Sequence, residues 1–253
     1  RDQKADETEQ CAKGKQSEAI AEYRKIATPA VPYVQLDLAL MLTEDKQYRE
    51  AKQILTELEQ NHAAPGVQQV AAAYHRAINQ SQAWQPSLSL NFEQTDNVNN
   101  AADTRIIDWN GRQWRKTEDS LPKSAHGIRY GTGLSRTLNL NGHHFAQLDT
   151  SINGVHYWDA QDFNEQSLRL AAGYRWQDIR QDAGLQPFVE QNWLGGERYN
   201  RNIGLTVDYN RQLNPGWRLG SYIQYSEKRY QDEALARRYN SHLAHFGSTL
   251  SYR

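Results

Sequence analysis

The sequence predicts an α + β multidomain chain, with N-terminal α-helical repeats of the tetratricopeptide type followed by an antiparallel transmembrane β-barrel. Three observations predict it. Apolar residues recur at helical spacing as far as about Ala83 and alternate with period 2 from Trp84 to the end. Only 38% of the 253 residues are hydrophobic, yet aromatics reach 10% through 14 Tyr and 7 Trp, so ordinary core is scarce and interfacial rings are plentiful. No stretch approaches the ~20 apolar residues of a membrane-spanning helix, which leaves strands as the route across a bilayer. The switch in period divides the chain into a helical part, 1–84, and a barrel part, 85–253.

The helical part begins near Glu7. "SEAIAEYRKIA" sets Ala19, Ile20, Tyr23 and Ile26 on one helical stripe, and Thr28-Pro29 and Pro32 interrupt it. "YVQLDLALMLTEDKQ" and "REAKQILTELEQN" follow and then, past Pro65-Gly66, "VQQVAAAYHRAINQ". "GKQSEAIAEYRKI" echoes in "DKQYREAKQILTEL", pairing Glu18-Ala19 with Glu50-Ala51, Tyr23 with Leu55 and Ile26 with Leu58. The offset (50 − 18 = 32) is close to the ~34 residues of a tetratricopeptide repeat. Such a repeat would offer a peptide-binding groove, with Tyr33, Gln35, Asp37 and Tyr48 as groove candidates; the alternative is a bundle that merely packs. The single cysteine, Cys11, excludes an intramolecular disulfide. "ETEQC" lacks the small apolar run of a lipoprotein cleavage site, so Cys11 reads as incidental, and the polar segment opened by Arg1 does not read as a signal peptide.

Eight strands are expected, at about 86–95, 126–140, 143–158, 165–177, 184–194, 201–212, 216–229 and 239–253. In the third, Ala146, Leu148, Ile152 and Gly154 oppose Gln147, Asp149, Ser151 and Asn153. The fourth and sixth set Leu168, Leu170 and Ala172 or Ile203, Leu205 and Val207 against polar residues and glycines. A soluble β-sandwich would alternate likewise. The connections favour a barrel: "NG", "QDIRQDAG" and "LNPGW" read as tight turns, while the opening stretch, "DAQDFNEQ", "GGERYN" and "YQDEALARRYN" read as long loops. Short turns then lie on the periplasmic side with the helical part, and long loops lie outside. Tyr157, Trp158, Tyr174, Trp176, Trp193, Tyr209, Trp217 and Tyr225 fall near strand ends, as an interfacial girdle would place them.

A helical repeat region fused directly to a barrel, with "NFEQTDNVNNAA" at the first strand, resembles the surface lipoprotein assembly modulator (Slam) family of Gram-negative bacteria. The most specific piece is Asp96-Asn97-Val98-Asn99-Asn100. The resemblance implies an outer-membrane translocon that moves lipoproteins from the periplasm to the cell surface through a fourteen-stranded barrel. Eight strands and an end at "STLSYR", where an aromatic terminus is usual, point to a partial barrel. A closed barrel of eight has room for side chains but for no polypeptide.

The same reading gives the partners: a surface lipoprotein client, outer-membrane lipid and, as a candidate, a periplasmic chaperone. With 29 basic against 30 acidic residues, no nucleic-acid partner is indicated. Client contact is assigned to inward polar residues, Gln147, Asp149, Ser151, Asn153, Arg169, Arg175, Glu190 and Asp208, with Gln224 beside them. The alternative is a porin-like or adhesive barrel whose helical part holds a periplasmic partner. No enzyme, cofactor or metal is expected: the histidines lack metal-ligand spacing, no motif selects a Ser-His-Asp set, and Gly131-Thr132-Gly133 sits mid-strand without a following helix.

Overall fold

A computed structural model describes residues 17–60 and 64–252. The first turns of the expected helix, with Cys11, lie outside the described residues, as does Arg253. Four helices come first: α1 (17–26), α2 (Pro32–Glu44), α3 (Tyr48–Gln60) and α4 (Pro65–Ser81). Pro32 and Pro65 start α2 and α4, where a missing N–H costs nothing. Lys46, in left-handed backbone at φ 64°, lets the Gln47 amide reach back to the Leu42 carbonyl (2.8 Å) and turns the chain into α3.

The helices share one core of Ile20, Leu36, Leu38, Ala39, Leu42, Ala51, Leu55, Leu58, Val67, Ala71 and Ile78. The two halves of the sequence echo are packed unequally. Ala51, Leu55 and Leu58 are fully buried, whereas Ile26, the counterpart of Leu58, is 57% exposed. Arg24 of α1 grips Glu50 of α3 (2.6 and 2.8 Å), and that hydrogen bond, less the cost of partial burial, raises its pKa further.

From Gln85 the chain is an eight-stranded antiparallel meander: β1 (Gln85–Thr95), β4 (Ala125–Asn141), β5 (His144–Tyr157), β6 (Glu165–Gln177), β7 (Gln181–Leu194), β8 (Glu197–Asn214), β9 (Trp217–Tyr230) and β10 (Ser241–Tyr252). Each strand pairs with its neighbour in sequence order, as in a barrel wall and unlike a two-layer sandwich. The sheet is not closed, since β1 and β10 are its two edges.

The long first connection is not featureless. It holds a separate hairpin, β2 (Ile106–Trp109) with β3 (Arg112–Arg115), turned by Asn110-Gly111 at φ 51° and 72°. The stretch "GGERYN" is a correction. Gly195 and Gly196 (φ 58° and 86°) form a tight turn, and Glu197 to Asn200 already belong to β8. Two glycines in left-handed backbone let pairing continue through the turn, so the strict alternation of short and long connections fails here. The last connection carries a short helix, α5 (Glu233–Tyr239), capped by the Asp232 carboxylate on the Leu235 amide.

The helices sit at the end of the sheet that carries the β4–β5, β6–β7 and β8–β9 turns. Asn139 accepts from the Arg49 amide (2.8 Å), and the Leu140 carbonyl accepts from its guanidinium (2.9 Å). His143 meets the Asp45 carboxylate at 2.8 Å, and Tyr48 packs edge-on against fully buried Phe145.

Candidate functional site: the polar face of the sheet

Strand geometry sends alternate side chains to opposite faces, and register extends each face across the sheet. One face carries Leu88, Leu90, Phe92, Ile128, Leu148, Leu170, Leu185, Ile203, Ile223 and Phe246, all exposed, up to 75% for Leu88. The other is polar and more enclosed. This is the reverse of a water-soluble sheet, where the apolar face is the buried one.

The predicted lumen residues all fall on the polar face. Ser151, Arg169, Glu190, Asn202, Lys228 and Ser241 stand directly opposite one another in consecutive strands and form a row across β5 to β10. Nearer the helices, Arg175 is the hub of a second group. Its guanidinium donates to Gln147 (3.0 Å), to Asp182 and to Asp208 (2.9–3.0 Å). Gln147 and Gln186 both donate to Asp149. Phe145 pairs with Arg175 on this face, so Tyr48 of α3 abuts the polar surface at its helical end.

Toward the other end, Glu190 accepts from Asn192 (3.1 Å) and Asn202 (2.8 Å) and faces Arg169 at 3.6 Å, while the Arg169 guanidinium stacks on Phe188. A hollow of about 490 Å³ opens here, lined by Arg129, Asn153, Glu165, Glu190, Asn202 and Lys228 among others. Gln224 reaches Thr206 at 3.4 Å. Gly131 lies flat among these groups because a Cβ would fall 2.7 Å from the Ser89 hydroxyl and 2.8 Å from Asn153.

Sequence reading missed Asp182, Gln186, Asn192, Asn200 and Asn202. The period-2 rule places Gln186 and Asn192 beside Glu190. Asp182 and Asn200 were hidden by strand ends drawn too short.

The groove candidates of the helices do not gather on one surface. Tyr33 is 64% exposed and Asp37 is exposed one turn on, Gln35 points the other way and is buried, and Tyr48 belongs to the seam with the sheet. Tyr157 departs from the girdle reading: it faces inward and is buried with Ala125 and Val155 against Phe163. The turn and strand-end histidines make hydrogen bonds: His126 with Asp159, His143 with Asp45, His144 with Tyr174 and His242 with Tyr225. Among the described residues no group of three or more His, Cys, Asp and Glu could hold a metal ion, and no helix is long and apolar enough to cross a membrane.

The "DNVNN" motif closes the base of the first connection. Asn97 exchanges two hydrogen bonds with Ala101 (2.8 Å each). Asn99 binds the Leu121 carbonyl (2.8 Å) and the Lys123 amide (3.0 Å), and the Val98 amide bonds to the Lys123 carbonyl (2.8 Å). The carboxamides take the place of a backbone ladder and bring the two ends of the loop together.

An antiparallel meander with one exposed apolar face and one polar face has the pattern of a β-barrel wall. The chain belongs to the surface lipoprotein assembly modifier family, whose model matches residues 84–253. It is 30% identical over 230 residues to the surface lipoprotein assembly modifier of Pasteurella multocida (86% of this chain, 44% of that protein). It is 29% identical over 233 residues to surface lipoprotein assembly modifier 1 of Haemophilus influenzae (87% and 46%). It is also 26% identical over 180 residues to the hemophilin secretion modulator of Acinetobacter baumannii (64% and 36%). The chain thus spans less than half the length of these relatives. No solved structure matches it.

Proposed function

We propose that this chain forms part of an outer-membrane factor that passes surface lipoproteins from the periplasm to the cell surface. In this reading residues 1–84 are a periplasmic helical unit that engages the client, and residues 85–253 are part of the barrel wall. The observation that carries it is a juxtaposition: the helices are bonded to the sheet at one end, and Tyr48 touches Phe145 where the polar face begins. A client held by the helices would be delivered to that face.

The exposed apolar side matches hydrocarbon, as the outer band of a membrane barrel does. Within, Gln147, Asp149, Ser151, Asn153, Arg169, Arg175, Glu190 and Asp208 offer closely spaced donors and acceptors of both charges, which suit a passing polar chain better than one fixed ligand. The open edges β1 and β10 also matter, because an eight-stranded sheet closed on itself would fill its interior with these side chains. The relatives' names supply the client class, surface lipoproteins.

The test is protease accessibility of a surface lipoprotein on intact cells. The full gene product, this 253-residue form and a product lacking residues 1–84 should be compared with a strain that has none. Display that requires the full product, and falls when the helical residues are removed, supports the reading. Display independent of all forms removes it.

A further inference from the structure

We propose that the β2–β3 hairpin is a lipid-surface anchor that docks on phosphate-bearing headgroups of the leaflet nearest the long connections. The register of the hairpin decides what its faces carry. Ile107 stands opposite Trp114, and Trp109 stands opposite Arg112 two pairs further on, so two indoles, an isoleucine and a guanidinium share one face. That face is open: Trp109 is 70% exposed, Trp114 57% and Ile107 44%. A cleft of about 410 Å³ lies among Trp109, Asn110, Arg112 and Trp114.

Residues 105–116 hold four basic side chains, Arg105, Arg112, Arg115 and Lys116, against one acidic, Asp108. The side chains of Arg112, on the indole face, and of Arg115, on the opposite face with Ile106, are exposed and make no hydrogen bond or ion pair among the described residues. Exposed indoles beside unpaired guanidinium groups fit the interface of an anionic bilayer, where rings lie at headgroup depth and each nearby cation adds attraction.

Placement agrees. The loop leaves β1 at Thr95, three residues beyond outward-facing Phe92, whose ring meets that of Trp158 at 6.3 Å on the same rim of the apolar band. The Asn99 bonds to Leu121 and Lys123 hold the base of the loop against the segment just ahead of β4, and an isolated two-stranded hairpin is marginal in water and gains from a surface to lie on.

This inference rests on the barrel reading, and the experiment separates the two. The protein is refolded into vesicles of brominated phosphatidylcholine, alone or mixed with phosphatidylglycerol. The fluorescence difference between the natural chain and Trp109→Ala/Trp114→Ala isolates the two indoles. Their quenching by bromine should be about twofold stronger in the anionic vesicles and should fall back at ~1 M salt, where the Debye length is near 3 Å. Arg112→Gln/Arg115→Gln should abolish the anionic enhancement while the strand tryptophans stay quenched. If the strand tryptophans are quenched and the hairpin pair is unquenched in both vesicles, the anchor is refuted. Shielding of the pair that appears only on adding a lipoprotein would refute it equally and make a protein the occupant. Loss of quenching throughout would overturn the barrel reading and the anchor with it.

Discussion

The helices and the sheet obey the same rule against opposite surroundings. In α2 and α3, Leu42 and Leu55 are fully buried and charges such as Glu50 lie outside. In the sheet, Phe92 and Phe246 are 66% and 72% exposed, while the side chains of Arg175, Asp182 and Asp208 are only 15–22% exposed. Apolar groups seek the least polar neighbour available. For the helices that neighbour is one another, and for the sheet it lies outside the chain. The inversion is a stronger argument for hydrocarbon around the sheet than any count of apolar residues, since the outward face would otherwise be one continuous aggregation surface.

The sharpest test is to make the same kind of change in both regions. Leu55→Ala empties a site with no exposure and should cost about 2–5 kcal/mol, lowering the helical unfolding midpoint followed by circular dichroism in detergent and leaving the strand signal in place. Leu170→Arg, on the outward face, should cost about 2–4 kcal/mol if that position lies near the bilayer midplane, measured as the folded fraction in lipid vesicles against urea. Normal assembly of Leu170→Arg would break the comparison, because an Arg at a half-exposed site in water costs little.

A smaller effect is expected on the polar face. Arg175→Met leaves Asp182 and Asp208 without their shared cation, and we expect about 1–3 kcal/mol, well short of a dry buried pair because these groups keep some exposure. Adding Asp208→Asn to that variant should recover part of the loss, and a double-mutant cycle on vesicle-unfolding midpoints reads the coupling. Full additivity would mean that the network does not act as a unit.

The same contrast explains what was legible in the sequence. Period 2 identified the polar set from Gln147 to Asp208 because each lies mid-strand, where the parity of a residue fixes its face. The hairpin at Asn110-Gly111 carried the strongest short-range turn signal, yet it was hidden in a stretch read only for its polarity. Gly195-Gly196 carried a comparable signal and was read as a long loop, which cost the first residues of β8. Ends failed where middles succeeded: Tyr157 looked like a girdle ring by position in the chain, but parity with Val155 turns it inward. The seam of Asp45, Tyr48 and Arg49 with Asn139, His143 and Phe145 joins residues about 90 positions apart, and no local pattern encodes such a pairing.

The smallest effect concerns a loop end, where neither region's surroundings dominate. Asp159 accepts hydrogen bonds from the His126 amide and from its imidazole, both at 2.8 Å, and closes the β5–β6 connection onto β4. The backbone bond chiefly, and the side-chain bond after it, hold the Asp159 carboxyl below the usual aspartate range. A depressed folded-state pKa means that the clasp contributes fully above the ordinary aspartate value of about 3.9 and is lost as pH falls through the lower, folded value. Protection of the His126 amide from hydrogen exchange, corrected for intrinsic rate, should therefore be flat from neutral pH downward and drop only below about pH 4. Asp159→Asn keeps a carbonyl acceptor without the charge and should flatten that acid step. Protection that stays flat below pH 4 in the natural chain would show that the carboxylate's backbone bond is not what closes this end of the sheet.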